Sequence, residues 1–271
     1  LEKMADAYRK PHGMILSTGP TGSGKTTTLY AILKILNKPN INIMTIEDPV
    51  EYDMAGINQI QVNQRANLTF ATGLRSILRQ DPNIILVGEI RDEETSGIAI
   101  NLAMTGHLVL STLHANDAAT TIPRLLDLGV EPFLIASTVS VIVAQRLVRK
   151  IHEPCRVSEE VSLDLLRKEL SAELVQKMFP KKSSSQKETT RVYRGKGCSL
   201  CHGSGYAGRV GIFEVLSMDE ALRHAIMERA TASEIQTIAK QGGMRTMIED
   251  GIEKVRQGIT TLDEVIRVAR E

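Results

Sequence analysis

Gly19-Pro20-Thr21-Gly22-Ser23-Gly24-Lys25-Thr26 carries the spacing G-x-x-x-x-G-K-T. Met14-Ile15-Leu16 leads into it as an apolar run, and Thr27-Thr28-Leu29-Tyr30-Ala31-Ile32-Leu33 leaves it with helical character. Strand, glycine-rich loop and helix in that order form a phosphate-binding loop. The glycines let successive backbone N–H groups turn inward, and the following helix adds its unpaired N-terminal donors and positive dipole end. Gly19, Pro20, Thr21, Gly22, Ser23, Gly24, Lys25, Thr26 and Thr27 are therefore the candidate nucleotide-binding residues. Lys25 reaches the β- and γ-phosphates, and the Thr26 hydroxyl is a candidate Mg²⁺ ligand.

Outward from this loop the sequence alternates strand and helix. Ile41–Ile46 alternates apolar and polar residues and predicts a second strand, ending in Glu47-Asp48-Pro49-Val50-Glu51. Ile57–Val62 predicts a short strand, set in a hairpin outside the main sheet. Thr69 is placed to cap a helix through Gln80 that carries Arg75 and Arg79 on one face. After Asn83, Ile84–Val87 is a continuous apolar run, the pattern of a strand buried on both faces, and it ends in Gly88-Glu89. Asp92–Met104 predicts a helix, His107–Thr112 another buried strand, and Leu113-His114 the turn beyond it. Ala118–Leu128 and Pro132–Val143 predict helices. The whole reads as an α/β fold with a doubly wound, mainly parallel sheet, whose ligands bind beyond the strands' C-terminal ends.

After about Val148 the character changes. Ser158–Met178 is charged and predicts helix, Lys181–Thr190 is a polar Ser/Lys-rich loop, and Arg209–Leu216 predicts a strand. From Met218 onward, apolar residues at three-to-four spacing predict three or four amphipathic helices. The organisation expected is a nucleotide-binding core over residues 1–148, an insert over 149–208 and a C-terminal helical subdomain over 209–271.

Composition limits the alternatives. With 271 residues, 42% apolar, there is enough core for a large domain and a smaller one. A net charge of +1 gives no basic field for nucleic acid, and 3% aromatics with no Trp leave few stacking platforms for single-stranded bases. No apolar run reaches bilayer length. The first residue is Leu1, inside a charged helical stretch, which reads as a piece of a longer protein.

The three cysteines fall in a second constellation, His152-x-x-Cys155 and Cys198-x-x-Cys201. Two short ligand pairs bracketing an insert can close a tetrahedral Cys₃His zinc site. His202, next to Cys201, is a competing ligand. A redox role for Cys198 and Cys201 is the other reading, although no thioredoxin-like βαβ pattern surrounds them.

The phosphate loop Gly19–Thr26, the acidic box Glu47–Glu51, the apolar strand ending in Gly88-Glu89 and the His box from His107 to His114, in this order, resemble the secretion ATPase superfamily. These are the motors of type IV pilus assembly and type II secretion, in their C-terminal ATPase half. The resemblance covers nearly the whole chain. It implies a RecA-like P-loop NTPase fold, with a zinc-binding insert and a small C-terminal helical subdomain. It implies ATP hydrolysis with Mg²⁺, Glu51 polarising the attacking water and Glu89 holding the Mg²⁺ water shell. Preferring Glu51 to Glu47 rests on the family. Lys25, His114, His107, Arg75, Arg79 and Arg91 become candidates to neutralise or sense phosphate charge, the arginines across a subunit interface. Many assembly and secretion members have two C-x-x-C pairs where this chain has His152 at the first position, whereas retraction motors generally lack the insert. The resemblance further implies a homohexamer in the cytoplasm, held peripherally at the inner membrane by a platform protein and a cytoplasmic adaptor, and driving pilin or pseudopilin polymerisation. A nucleic-acid transport or helicase-like ATPase and a non-hydrolysing nucleotide switch are the competing classes.

Overall fold

A computed structural model describes residues 2–179 and 189–270. The chain divides into two compact units, Leu1–Gln145 with Glu214–Met244, and Arg146–Phe213 with Arg245–Glu271. The elements in order are α1 (Glu2–Tyr8), β1 (Gly13–Thr18), α2 (Lys25–Leu36), β2 (Ile43–Glu47), β3 (Asn58–Gln61), α3 (Phe70–Ile77), β4 (Ile84–Val87), α4 (Glu93–Met104), β5 (Leu108–Leu113), α5 (Thr121–Asp127), α6 (Pro132–Thr138) and β6 (Val139–Ile151). There follow β7 (Arg156–Ser162), α7 (Leu163–Leu166), α8 (Ala172–Met178), β8 (Thr189–Gly195), β9 (Tyr206–Ser217), α9 (Glu220–Met227), α10 (Ala232–Gln241), α11 (Met247–Arg256) and α12 (Leu262–Arg270).

The main sheet has the order β3-β2-β4-β5-β1-β6-β9. β1 pairs in parallel with β5 and β6, β2 with β3 and β4, and β4 with β5. Every residue of β1, β2, β4 and β5 is buried. Helices on both faces are what make continuous apolar runs the stable choice for such strands. Each fully buried Val, Leu or Ile side chain contributes about 1.5–3 kcal/mol. The hydroxyls within these strands find acceptors. Ser111 Oγ donates to Val87 O at 2.8 Å and Thr112 Oγ1 to Gly88 O at 2.7 Å, stitching the end of β5 to that of β4. The registers Thr18↔Leu113, Val87↔Ser111 and Ile46↔Val87 bring the C-terminal ends of β1, β5, β4 and β2 to one edge of the sheet.

Thr69 caps α3 as expected, its hydroxyl accepting from Thr72 N–H in a reciprocal box. Three expectations need correction. The Ile57–Val62 strand is no external hairpin: Asn58–Gln61 is β3, pairing in parallel with β2 at the sheet edge. The helix expected over Pro132–Val143 stops at Thr138. Val139-Ser140-Val141-Ile142-Val143 is rich in β-branched residues, and it is buried as a strand beside β1. Ser158–Ser162 is likewise strand within β7, its charged side chains standing on an exposed two-stranded pair.

In the second unit β7 and β8 are antiparallel, Arg156↔Gly195 through Ser162↔Thr189. Leu163, Leu166, Leu170, Val175, Phe179 and Ile252 form its apolar cluster. The polar stretch Lys181–Thr190 falls largely outside the described residues, and its last two residues open β8. The expected C-terminal helices are α9 to α12, of which α9 and α10 belong to the first unit and α11 and α12 to the second. No helix among the described residues is long and apolar enough to cross a membrane.

Candidate functional site

β1 delivers Gly19 to the C-terminal edge of the sheet, and the loop 19–24 arches over the start of α2. Gly24, in the left-handed conformation, precedes α2, and no side chain caps that helix. Its first N–H groups are therefore left for an anion. Lys25 Nζ donates to Gly19 O at 2.8 Å and Pro20 O at 3.0 Å, so the ammonium lies over the loop. Burial lowers the Lys25 pKa, while the Glu89 carboxylate acts to raise it. Gly19 has φ +143°, and a Cβ there would meet Ser23 Oγ at 2.7 Å and the carbonyl of Gln145, so glycine is required. Ser23 Oγ is buried without a hydrogen-bond partner among the described residues. An orphaned buried hydroxyl in a phosphate loop fits a ligand rich in acceptor oxygens.

The acidic box splits into two different environments. Glu47, the last residue of β2, is 2% exposed and accepts from Tyr30 Oη, Thr45 Oγ1 and Gln59 Nε2. Glu51 is exposed on the loop beyond. Of the two glutamates, Glu51 is thus the one open to solvent, while Glu47 is consumed by neighbours; Asp48 between them is exposed as well. Glu89 follows β4 and is largely buried. Arg91 Nε lies 2.5 Å and His114 Nε2 3.4 Å from its Oε2. Thr18 Oγ1 fixes the turn carrying His114, its one proton shared between Leu113 O and Ala115 O while the oxygen accepts from Ala115 N–H. Lys25, Glu89, Arg91 and His114 therefore come together at one edge.

His107 does not join them. It precedes β5, its Nδ1 3.1 Å from Leu102 O and its carbonyl accepting from Gly13 N–H. Six strand residues separate it from His114, about 20 Å at the rise of a parallel strand. Arg75 is exposed and paired with Glu94 at 2.7 Å on the neighbouring α4. Arg79 is exposed in the 3₁₀ turn after α3. Neither is within this cluster.

In the second unit the donor atoms of His152, Cys155, Cys198 and Cys201 all lie within 4.8 Å of one another. His152 Nδ1 is 3.4 Å from both Cys155 Sγ and Cys198 Sγ, while Cys201 Sγ is 3.7 Å from Cys198 Sγ and 4.0 Å from Cys155 Sγ. Around a tetrahedral zinc these edges are about 3.5 Å for N–S and about 3.8 Å for S–S. The donor set and its spacing fit that ion. Burial raises the Cys155 thiol. Burial also opposes ionisation of Cys201, but the N–H groups of Cys198 and Gly205 outweigh it and hold this thiol at about 6. The three cysteines are free thiols. His202 is exposed, at φ +51°, and stays out of the group. Gly205 sits at φ +74° with its backbone against Gly195, where a Cβ would come 2.7 Å from the Gly195 oxygen. That close approach lets its N–H reach Cys201 Sγ at 3.3 Å.

Sequence reading passed over Gln145, Tyr30 and Gln59. Gln145 is buried and donates to Ser23 O at 2.9 Å, bracing the phosphate loop from β6. No spacing rule marks Gln145, which shares the mostly apolar stretch Val139–Leu147 with Ser140 and Arg146.

Comparison with known proteins adds the lineage. At 49% identity over 265 residues, the chain matches the type IV pilus assembly ATPase PilB of Thermus thermophilus, covering 98% of this chain and 29% of that protein. Also at 49% identity over 265 residues, it matches the type II secretion system ATPase E of Vibrio cholerae, covering 97% of this chain and 50% of that protein. The chain thus spans about half the length, or less, of these relatives. Among solved structures, the pilus retraction motor PilT with bound ADP superposes with TM-score 0.72 at 29% identity, over 100% of this chain and 65% of that one. The ATPase DotB of Legionella pneumophila shares the fold, with TM-score 0.68 at 24% identity over 100% of this chain and 63% of that one. A sequence model of the family described as "Type II/IV secretion system protein" matches residues 1–267, and the chain belongs to that family.

Proposed function

We propose that this chain is the ATP-hydrolysing part of a motor that powers type IV pilus extension or type II protein secretion. The observation that carries the reading is the convergence of Lys25, Glu89, Arg91 and His114 at the sheet edge, with the exposed Glu51 on the adjacent acidic loop. Phosphoryl transfer needs positioning and charge stabilisation more than covalent chemistry, and these groups supply both. The N–H groups of the loop and α2 hold the phosphates, with Lys25 on the β- and γ-oxygens. Thr26 and Glu89 are the residues that would hold Mg²⁺, which neutralises phosphate charge when bound. Glu51 accepts the proton of the attacking water. Arg91 and His114 sense the terminal phosphate through Glu89, and Arg75 and Arg79 act across a subunit boundary.

His152, Cys155, Cys198 and Cys201 would hold a structural zinc that ties the residue 149–208 insert together. The functional division is a nucleotide core over residues 1–148, this insert, and the C-terminal helical stretch 209–271, whose helices the two compact units share. The motor works as a cytoplasmic homohexamer at the inner membrane, handing its motion through an adaptor and a platform protein to pilin or pseudopilin polymerisation. The names of the relatives support this process, and the insert supports assembly or secretion over retraction.

The Glu51→Gln variant tests the chemistry. Phosphate release should fall about 100-fold or more, the scale of a lost general base, with ATP affinity within about threefold of the parent. Unimpaired hydrolysis would overturn the assignment.

A further inference from the structure

We infer that Tyr30, Glu47 and Gln59 are positioning residues, a buried latch that fixes the loop bearing Glu51 to the phosphate-loop helix. This inference rests on the reading of Glu51 as the water-activating group.

Glu47 is a buried carboxylate whose hydrogen-bond donors, among the described residues, are all neutral: Tyr30 Oη, Thr45 Oγ1 at 2.5 Å and Gln59 Nε2 at 3.3 Å. Burying a carboxylate without a cation is costly, and an apolar residue would pack into β2 at less expense. What the carboxylate achieves is to join three elements, α2 through Tyr30, β2 through Thr45 and β3 through Gln59. Burial, and then the Glu47 carboxylate, push the Tyr30 hydroxyl well above its ordinary range, so it stays a donor.

Gln59 passes the restraint on to the acidic loop. Its Nε2 also faces Tyr52 O at 3.3 Å, and its Oε1 accepts from Met54 N–H at 2.7 Å. The Tyr52 ring meets the Tyr30 ring edge-on, with centroids 4.7 Å apart. Val50 N–H donates to Gln61 Oε1 at 3.3 Å. Glu51 is therefore exposed itself but flanked on both sides by anchored residues. β3 joins the main sheet through its backbone pairing with β2, and from that position its Gln59 and Gln61 hold this loop. Tyr30 lies five residues beyond Lys25 on α2, about 7.5 Å along the same rigid helix. The latch thus references Glu51 to the helix whose first turn holds the phosphates.

Tyr30→Phe removes one hydroxyl and keeps the ring. In the intact protein it should lower kcat about 10- to 100-fold, the scale of a misplaced catalytic group, with KM and equilibrium ATP affinity within about twofold. The 271-residue chain has no Trp, so, expressed by itself, it carries a single reporter once Asp53→Trp is placed on the exposed loop. Its fluorescence anisotropy should fall when Tyr30→Phe is added. Gln59→Ala, at a half-buried edge position, should reproduce both effects if Tyr30→Phe does not fold. A kcat within twofold of the parent, or a lowered kcat with unchanged anisotropy, would overturn the latch. If Glu51→Gln abolishes hydrolysis while Tyr30→Phe is silent, only the latch fails. If Glu51→Gln is fully active, the reading beneath it fails.

Discussion

Cys198 Sγ lies 3.4 Å from His152 Nδ1, although 46 residues separate the two in sequence. The β7–β8 pair and the helices between them bring these distant pairs together, and a bound zinc would lock that closure. Purified protein should carry about one zinc per chain, and chelation should lower its thermal midpoint by roughly 5–10 °C. His152→Ala should lose the ion, whereas His152→Cys should keep it, because zinc accepts thiolate or imidazole at the same vertex. Atomic emission on the three proteins reads this directly, and a parent protein free of zinc after preparation without chelators would end the proposal.

The two histidines of the His box separate cleanly. His114 touches Glu89 at the ligand edge, and His107 sits at the far end of β5 against Leu102. His114→Ala should lower kcat about 10-fold or more, as for loss of a positioned polar group at the reacting phosphate. His107→Ala should leave kcat within about twofold and cost about 0.5–1.5 kcal/mol of stability, the worth of one hydrogen bond. Steady-state phosphate release with urea unfolding on both variants checks this. Equal kinetic losses would mean that strand position does not decide the role.

These cases mark what was legible in the sequence. The parallel core was readable because β4 is a continuous apolar run and β5 a mostly apolar one, each ending at chemistry-bearing residues, and strand polarity alone then sets the ligand edge. The phosphate loop was readable because its glycines and Lys25 are adjacent in sequence. The distance between His107 and His114 was not readable, because motif membership carries no information about which end of a strand a residue occupies. Val139–Val143 was misread because an apolar run of that length suits a buried strand or a buried helix equally, and only the pairing with β1 decides. Spacing alone does not separate Glu47 from Glu51, and the preference for Glu51 rests on the family resemblance. Burial distinguishes them, through Tyr30 and Gln59, which lie 17 and 12 residues away from Glu47.

Gln145 offers a test of the support beneath the loop. Its amide donates to Ser23 O, and Ser17 Oγ reaches its Oε1 at 3.4 Å. Gln145→Leu keeps the volume but leaves a buried loop carbonyl unpaired, a cost of about 1–3 kcal/mol. Part of that cost should appear as loss of the loop's ligand-ready shape, with ATP affinity down about 10-fold by calorimetry. Unchanged affinity alongside lowered stability would reduce Gln145 to a core residue.

Glu264 sets an acid limit on the second unit. It is 2% exposed and accepts from Arg149 Nη2 at 2.7 Å, Arg149 N–H at 2.9 Å and Arg267 Nη2 at 3.1 Å. Burial alone would raise its pKa from the ordinary 4.5, but the hydrogen bonds from Arg149 and then Arg267 outweigh it and hold the carboxyl at about 2. A carboxyl depressed on folding stabilises the fold fully above its unfolded value and loses that contribution as pH falls through the folded one. The contribution, about 2–3 kcal/mol once exposure of the arginines is allowed for, should be intact above about pH 5 and fade between about 4.5 and 2. Glu264→Gln cannot carry the charge, so its stability deficit against the parent should be constant above about pH 5 and shrink steadily below it. Urea midpoints measured on both proteins across this range give the curve. A deficit that is the same at low and neutral pH would mean that packing, rather than the charge held by Arg149 and Arg267, is what Glu264 provides.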